Sequence, residues 1–213
     1  MNKRIEITEE LVEKINDLLN QGLTQGLGQA EPGQGCVEAM ICLALGLPHS
    51  DDPICVNEAV RVCKIRINDS TWSSKEARGK ALKKIAILQL NTKETISNRQ
   101  FWLALQHELD TTDDQTRKWS AYAAYAADAT ADATADAAAD DAAYAAYAAD
   151  DAADDAAYAA YAADAAADDA ADAADDDAAD DADAILLKFV HCFERALISL
   201  SVEGVKWLDL LSE

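Results

Sequence analysis

The stretch WSAYAAYAADATADATADAAADDAAYAAYAADDAADDAAYAAYAADAAADDAADAADDDAADDADA fills residues 119–184, and the rest of the chain is read around it. It is built almost wholly of alanine, aspartate and tyrosine and holds no lysine, arginine, glycine or proline. Alanine is the strongest intrinsic helix former, so composition points to helix; interior aspartate is a poor one, and like charges four apart repel by about 0.2–0.5 kcal/mol a pair. Such pairs recur here, as in Asp128 with Asp132, Asp136 with Asp140, Asp150 with Asp154, and Asp164 with Asp168 and Asp172 beyond it. A helix in this stretch therefore needs tertiary packing, a basic partner or cations.

Phasing sharpens that reading. At about 100° per residue, Tyr122, Tyr125, Tyr144, Tyr147, Tyr158 and Tyr161 fall within an arc of roughly 100°. The segment DDAAYAAYAAD occurs at Asp140–Asp150 and again at Asp154–Asp164, an offset of 14 residues and close to four helical turns. Two architectures satisfy this pattern. One is a single helix of roughly 100 Å that presents tyrosines and carboxylates on one face. The other folds back near Asp150–Asp155 or Asp175–Asp177 into a hairpin whose tyrosines are core. Bare helices of that length are uncommon in compact domains, which favours the hairpin.

The flanks read as an all-α bundle. Thr8 caps a helix that carries Leu11, Ile15, Leu18 and Leu19 on one face until Gly22. Glycines 22, 26, 28, 33 and 35 with Pro32 then predict a flexible connection; no strand precedes them and no GK[ST] comes after, so they are not a phosphate loop. Cys36–Leu45 is apolar nearly all round and predicts a central helix. Asp52 with Pro53 reads as the cap and first position of a helix carrying Val56, Ala59, Val60 and Cys63 inward. Ser73 with Glu76 reads as a capping box, and Ser97 opens a helix through Phe101, Trp102, Leu105 and Leu109. Asp110–Asp114 reads as a turn, with Thr112 and Gln115 capping the acidic stretch. Only Lys64–Asn68 has a strand-like alternation. Ile185–Leu200 continues the acidic stretch as an apolar helix, and Val205, Trp207, Leu208, Leu210 and Leu211 form an amphipathic ending that closes the core or joins two copies as a homodimer. The resulting division is a helical module at 1–118, the acidic segment at 119–184 and C-terminal helices at 185–213.

Charge is segregated along these divisions. Residues 1–118 carry 15 basic and 17 acidic side chains, residues 119–184 none and 19, and residues 185–213 three and four. The net charge of -22 thus belongs to one segment. Such an excess repels nucleic-acid phosphates and anionic membranes and attracts basic protein surfaces or cations. The five cysteines are odd in number, sit in apolar contexts and come after no leader-like segment, which predicts a reducing cytoplasm. The apolar run Ile185–Val190 is interrupted by Lys188 and is too short for a membrane span.

His49, His107 and His191 are isolated from nucleophile or metal motifs, so each reads as a surface or satisfied core residue. Cys36, Cys42, His49, Cys55 and Cys63 lie near one another in sequence, but their spacing is wider than that of zinc knuckles and favours buried thiols. No catalytic set, metal set or cofactor motif is read. The aspartate rows lack the glycine and bidentate glutamate of a calcium loop, so cation binding there would be weak and collective.

The stretch from Ser120 to Ala184 resembles the alanine-rich helical region of immunity proteins associated with bacterial polymorphic toxins, over about a third of the chain. That resemblance implies neutralisation of a toxin by binding. The expectation is a non-enzymatic bacterial or phage binding protein whose acidic face meets a basic partner, either a toxin or, by DNA mimicry, a nucleic-acid-binding protein. The face comprises Asp128, Asp132, Asp136, Asp140, Asp150, Asp154, Asp164, Asp168 and Asp172 with the six tyrosines Tyr122, Tyr125, Tyr144, Tyr147, Tyr158 and Tyr161. The alternative is a structural or divalent-cation-binding helical protein.

Overall fold

The computed structural model describes residues 4–112 and 179–211, and all regular structure among them is helical apart from one isolated bridge between Gly28 and Gly35. The elements are α1 (Glu9–Asn20), α2 (Val37–Ala44), α3 (Glu58–Asp69), α4 (Lys75–Leu88), α5 (Thr92–Thr95), α6 (Asn98–Thr112), α7 (Ala179–Ser199) and a 3-10 helix (Glu203–Leu211). The all-α reading of the sequence holds for these residues. Whether 119–178 forms one helix or a hairpin lies outside them.

Local capping sets most of the helix starts. Thr8 Oγ1 accepts from Leu11 N at 3.2 Å to open α1, which buries Val12, Ile15, Leu18 and Leu19. Ser97 and Gln100 form a reciprocal box: Gln100 N donates to Ser97 Oγ at 3.2 Å, and Ser97 N donates to Gln100 Oε1 at 2.8 Å. That box opens α6, with Phe101, Trp102, Leu105 and Leu109 buried as the spacing predicts. Each side-chain cap contributes about 1 kcal/mol.

Three local expectations are corrected. The third helix starts at Glu58, capped by Asn57, and not at Asp52–Pro53. Asn57 is fixed by partners from elsewhere in the chain: its N donates to Thr92 Oγ1 at 2.9 Å, and its Nδ2 donates to the Ile96 carbonyl at 3.1 Å. Those bonds outweigh the local preference for proline in a first turn. The cap of α4 is Ser74, accepting from Ala77 N at 3.0 Å, because Ser73 is engaged by Asp183 from α7. Residues 110–112 are helical and not a turn: the Thr111 and Thr112 hydroxyls donate back to the His107 and Glu108 carbonyls at 2.9 and 2.7 Å. Lys64–Asn68, the strand-like run, lies inside α3.

The glycine-rich connection is more regular than its composition predicts. Thr24 N donates to the Gly35 carbonyl at 3.1 Å and Gln29 N to that of Gln34 at 2.7 Å, closing the loop on itself. Gly28 has φ +63, and a Cβ there would stand 2.1 Å from the Gln34 carbonyl oxygen, so no other residue fits that turn without moving it.

Helix α4 is the centre of the fold, packed by α1, α2, α3, α7 and the 3-10 helix. Its Gly79 lies against α1, where a Cβ would meet the Leu19 carbonyl oxygen at 2.4 Å. Helices α6 and α7 are joined by Phe101, whose ring centroid is 4.7 Å from that of Trp102 and 5.1 Å from that of Phe193. The same pair is joined at its polar margin by Arg195 Nε and Glu108 Oε2 at 2.8 Å. Helix α7 crosses the boundary expected at 184/185 without a break, so the last residues of the acidic stretch and the apolar residues after them form one rod. No helix among the described residues is long and apolar enough to cross a membrane.

Candidate functional site

The expected acidic face, Asp128, Asp132, Asp136, Asp140, Asp150, Asp154, Asp164, Asp168 and Asp172 with Tyr122, Tyr125, Tyr144, Tyr147, Tyr158 and Tyr161, lies outside the described residues. What the structure does place is its mount. Asp183, the last aspartate of the stretch, accepts from Ser73 N at 2.9 Å and from the Ser73 hydroxyl. On the other side of the stretch, Thr112 Oγ1 lies 3.3 Å from Cys192 Sγ and also receives Arg195. One flank is thus tied through Asp183 to the turn before α4, and the other through Thr112 to α7.

Beside Asp183, α4 and α7 enclose a groove of about 330 Å³. Its apolar side is formed by Trp72, Ala81, Leu187 and Val190, and the Trp72 indole is held by donating to the Ile67 carbonyl at 2.9 Å. Lys80, Lys84, His191 and Glu194 supply the polar groups. Glu194 is only 9 % exposed, and burial pushes its carboxyl above the usual range. Its partner is Lys84 Nζ at 3.9 Å, beyond hydrogen-bond reach, on a lysine that is itself half in solvent. Local spacing puts Leu187, Val190, His191 and Glu194 on one face of α7, but no sequence signal joins that face to Trp72.

A second polar feature is sealed in the core. Lys64 Nζ meets Glu38 Oε1 at 2.9 Å with neither side chain exposed, and Gln89 Nε2 donates to Glu38 Oε2 at 3.1 Å. The lysine has no aligned hydrogen bond. Burial pushes the Glu38 carboxyl up and the Lys64 ammonium down, each opposed by its partner. The sequence does carry a signal for this pair: Glu38 is the one charge in the otherwise apolar CVEAMICLAL run, which demands a buried partner.

A third node ties distant parts of the chain. Asn91 is fully buried with φ 61. Its Oδ1 accepts from Ile5 N at 3.0 Å, while its Nδ2 donates to the Ile5 carbonyl and to Glu203 Oε2, each at 2.9 Å. Arg4 completes the set at 2.8 Å from the same Glu203 oxygen. The Asn91 bond and Arg4 hold the Glu203 carboxyl below its ordinary value.

The three histidines are exposed, with His49 Nε2 3.1 Å from the Gly28 carbonyl oxygen. All five cysteines are free thiols and buried, as the spacing favours. Burial pushes Cys42 up to about 12 and raises Cys36, Cys55, Cys63 and Cys192 as well, so burial favours the neutral thiol in all five. Among the described residues no group of histidine, cysteine, aspartate or glutamate is arranged to hold a metal ion. No protein family, curated protein or solved structure matches the chain.

Proposed function

We propose that this is a non-enzymatic binding protein of the toxin-immunity or DNA-mimic type, whose acidic segment occupies a basic protein surface. The observation that carries the reading is the charge of residues 119–184, where 19 aspartates stand with no lysine or arginine. Carboxylates spaced along a helix replace phosphates in meeting lysine and arginine, and a field of one sign speeds association in a salt-dependent way. The continuity of α7 supports it, because the end of the acidic stretch is built into a rod that α4 and α6 hold. A partner bound there meets a surface whose base is already ordered, which lowers the entropic cost of binding.

The test is capture of partners on the immobilised full chain at low and at high salt. Enrichment of basic proteins that release as salt rises is expected. Partners that are not basic, or capture indifferent to salt, refute the reading.

A further inference from the structure

We propose that the groove between α4 and α7 is a receptor for one long-stemmed cationic side chain, an arginine or lysine, with Glu194 as its counter-ion. The proposal rests on the proposed function in one respect, that the cation is presented by the basic partner. The groove's own demand for a cation comes from a mismatch among its polar groups.

Lys80 and Lys84 are exposed, so water satisfies their ammonium groups and leaving them without a ligand costs little. Glu194 is largely buried, with 11 % of its side chain exposed; it lines the groove and, among the described residues, has only the loose 3.9 Å contact with Lys84. A carboxylate with little access to water, and with no hydrogen bond among the described residues, carries a partial desolvation penalty that a fitted cation relieves. The unmet demand is therefore for positive charge. Asp183, the other acid at the groove, is already engaged by Ser73 and does not compete for the ligand.

Shape agrees with charge. The groove lies near the lower end of the range of ligand pockets, about 300–1,000 Å³. Trp72, Leu187 and Val190 offer an apolar surface for methylenes, and lysine and arginine bury their stems on such surfaces while the head finds its partner. Guanidinium is the better head, because it is less strongly hydrated and grips a carboxylate with two bonds. Lys84, half in solvent, can swing away as the ligand enters.

The experiment titrates the full chain with Nα-acetyl-arginine methylamide and monitors the indole N–H resonance of Trp72, assigned with the Trp72→Phe variant. A saturable shift with the arginine derivative, and none with the uncharged citrulline derivative, is expected. Glu194→Gln should weaken binding by about tenfold or more. Ala77→Phe, which fills the groove and keeps every charge, should abolish it. A third variant, with Asn at the nine acidic-face aspartates, should still bind the arginine derivative and lose salt-sensitive capture of basic proteins. Equal binding by Glu194→Gln, by the citrulline derivative or by hexyl phosphate overturns the groove proposal and leaves the proposed function standing. Arginine binding without any salt-sensitive capture overturns the proposed function and leaves the groove as a cation site.

Discussion

Lys64 and Glu38 face each other at 2.9 Å in the core, and among the described residues Gln89 is the only further side chain that bonds the carboxylate. Two charges taken out of water recover their desolvation cost only while both are present. Lys64→Met should therefore cost about 3–5 kcal/mol, whereas the double change Glu38→Leu with Lys64→Met should be neutral or stabilising. Urea denaturation of the three proteins decides it. If the double variant is as unstable as the single one, the pair is worth more than the hydrophobic contacts that replace it.

Gly79 sits inside α4, where glycine costs about 1 kcal/mol relative to alanine. That deficit is offset by the approach of α1, since an added Cβ would stand 2.4 Å from the Leu19 carbonyl oxygen. Gly79→Ala should then destabilise by about 1–3 kcal/mol despite the better helix former. A melting temperature at or above that of the parent protein would show that α1 yields without cost.

Asn91 combines a left-handed backbone with bonds to Ile5 and Glu203. Asn91→Ala loses those bonds and keeps the strained φ, for a cost of about 3 kcal/mol. Asn91→Gly relieves the backbone and should fall between alanine and the parent. A glycine variant no better than alanine in chemical denaturation would mean that the bonds alone matter.

Glu194 gives a pH dependence of definite sign. Its folded carboxyl holds a proton more tightly than in the unfolded chain, so its contribution to stability is full below the unfolded value of about 4.5 and is lost as pH rises through the folded one. Glu194→Gln should thus be more stable than the parent at pH 7, with the difference shrinking as pH is lowered towards 4.5. Denaturation midpoints of the two proteins from pH 4.5 to 8 measure this directly. A constant difference across that range would place the carboxyl in water.

What is legible in the sequence is what local physics decides. The caps at Thr8 and Ser97 and the apolar spacing of α1 and α6 depend on residues three or four apart, and the structure has them except that in α1 Val12 is buried where the spacing predicts Leu11, and Leu11 is half-buried at the edge. The starts of α3 and α4 depart from their local signals because the competitors are distant: Thr92 and Ile96 fix Asn57, and Asp183 takes Ser73 out of the capping role. The charged core pair is not legible as a pair, although Glu38 interrupts an apolar run, because its partner Lys64 lies 26 positions away on another helix. The groove is a tertiary feature, formed only when Trp72 is brought against α7.

The Asn91 node also joins Ile5 to Glu203 through one side chain, and this links their exposure to solvent exchange. Deuterium uptake at the Ile5 amide requires release of the Asn91 Oδ1 acceptor, and the same side chain anchors the beginning of the 3-10 helix. The two segments should open as a single cooperative unit, so that a change at Glu203 accelerates exchange nearly two hundred positions earlier in the chain.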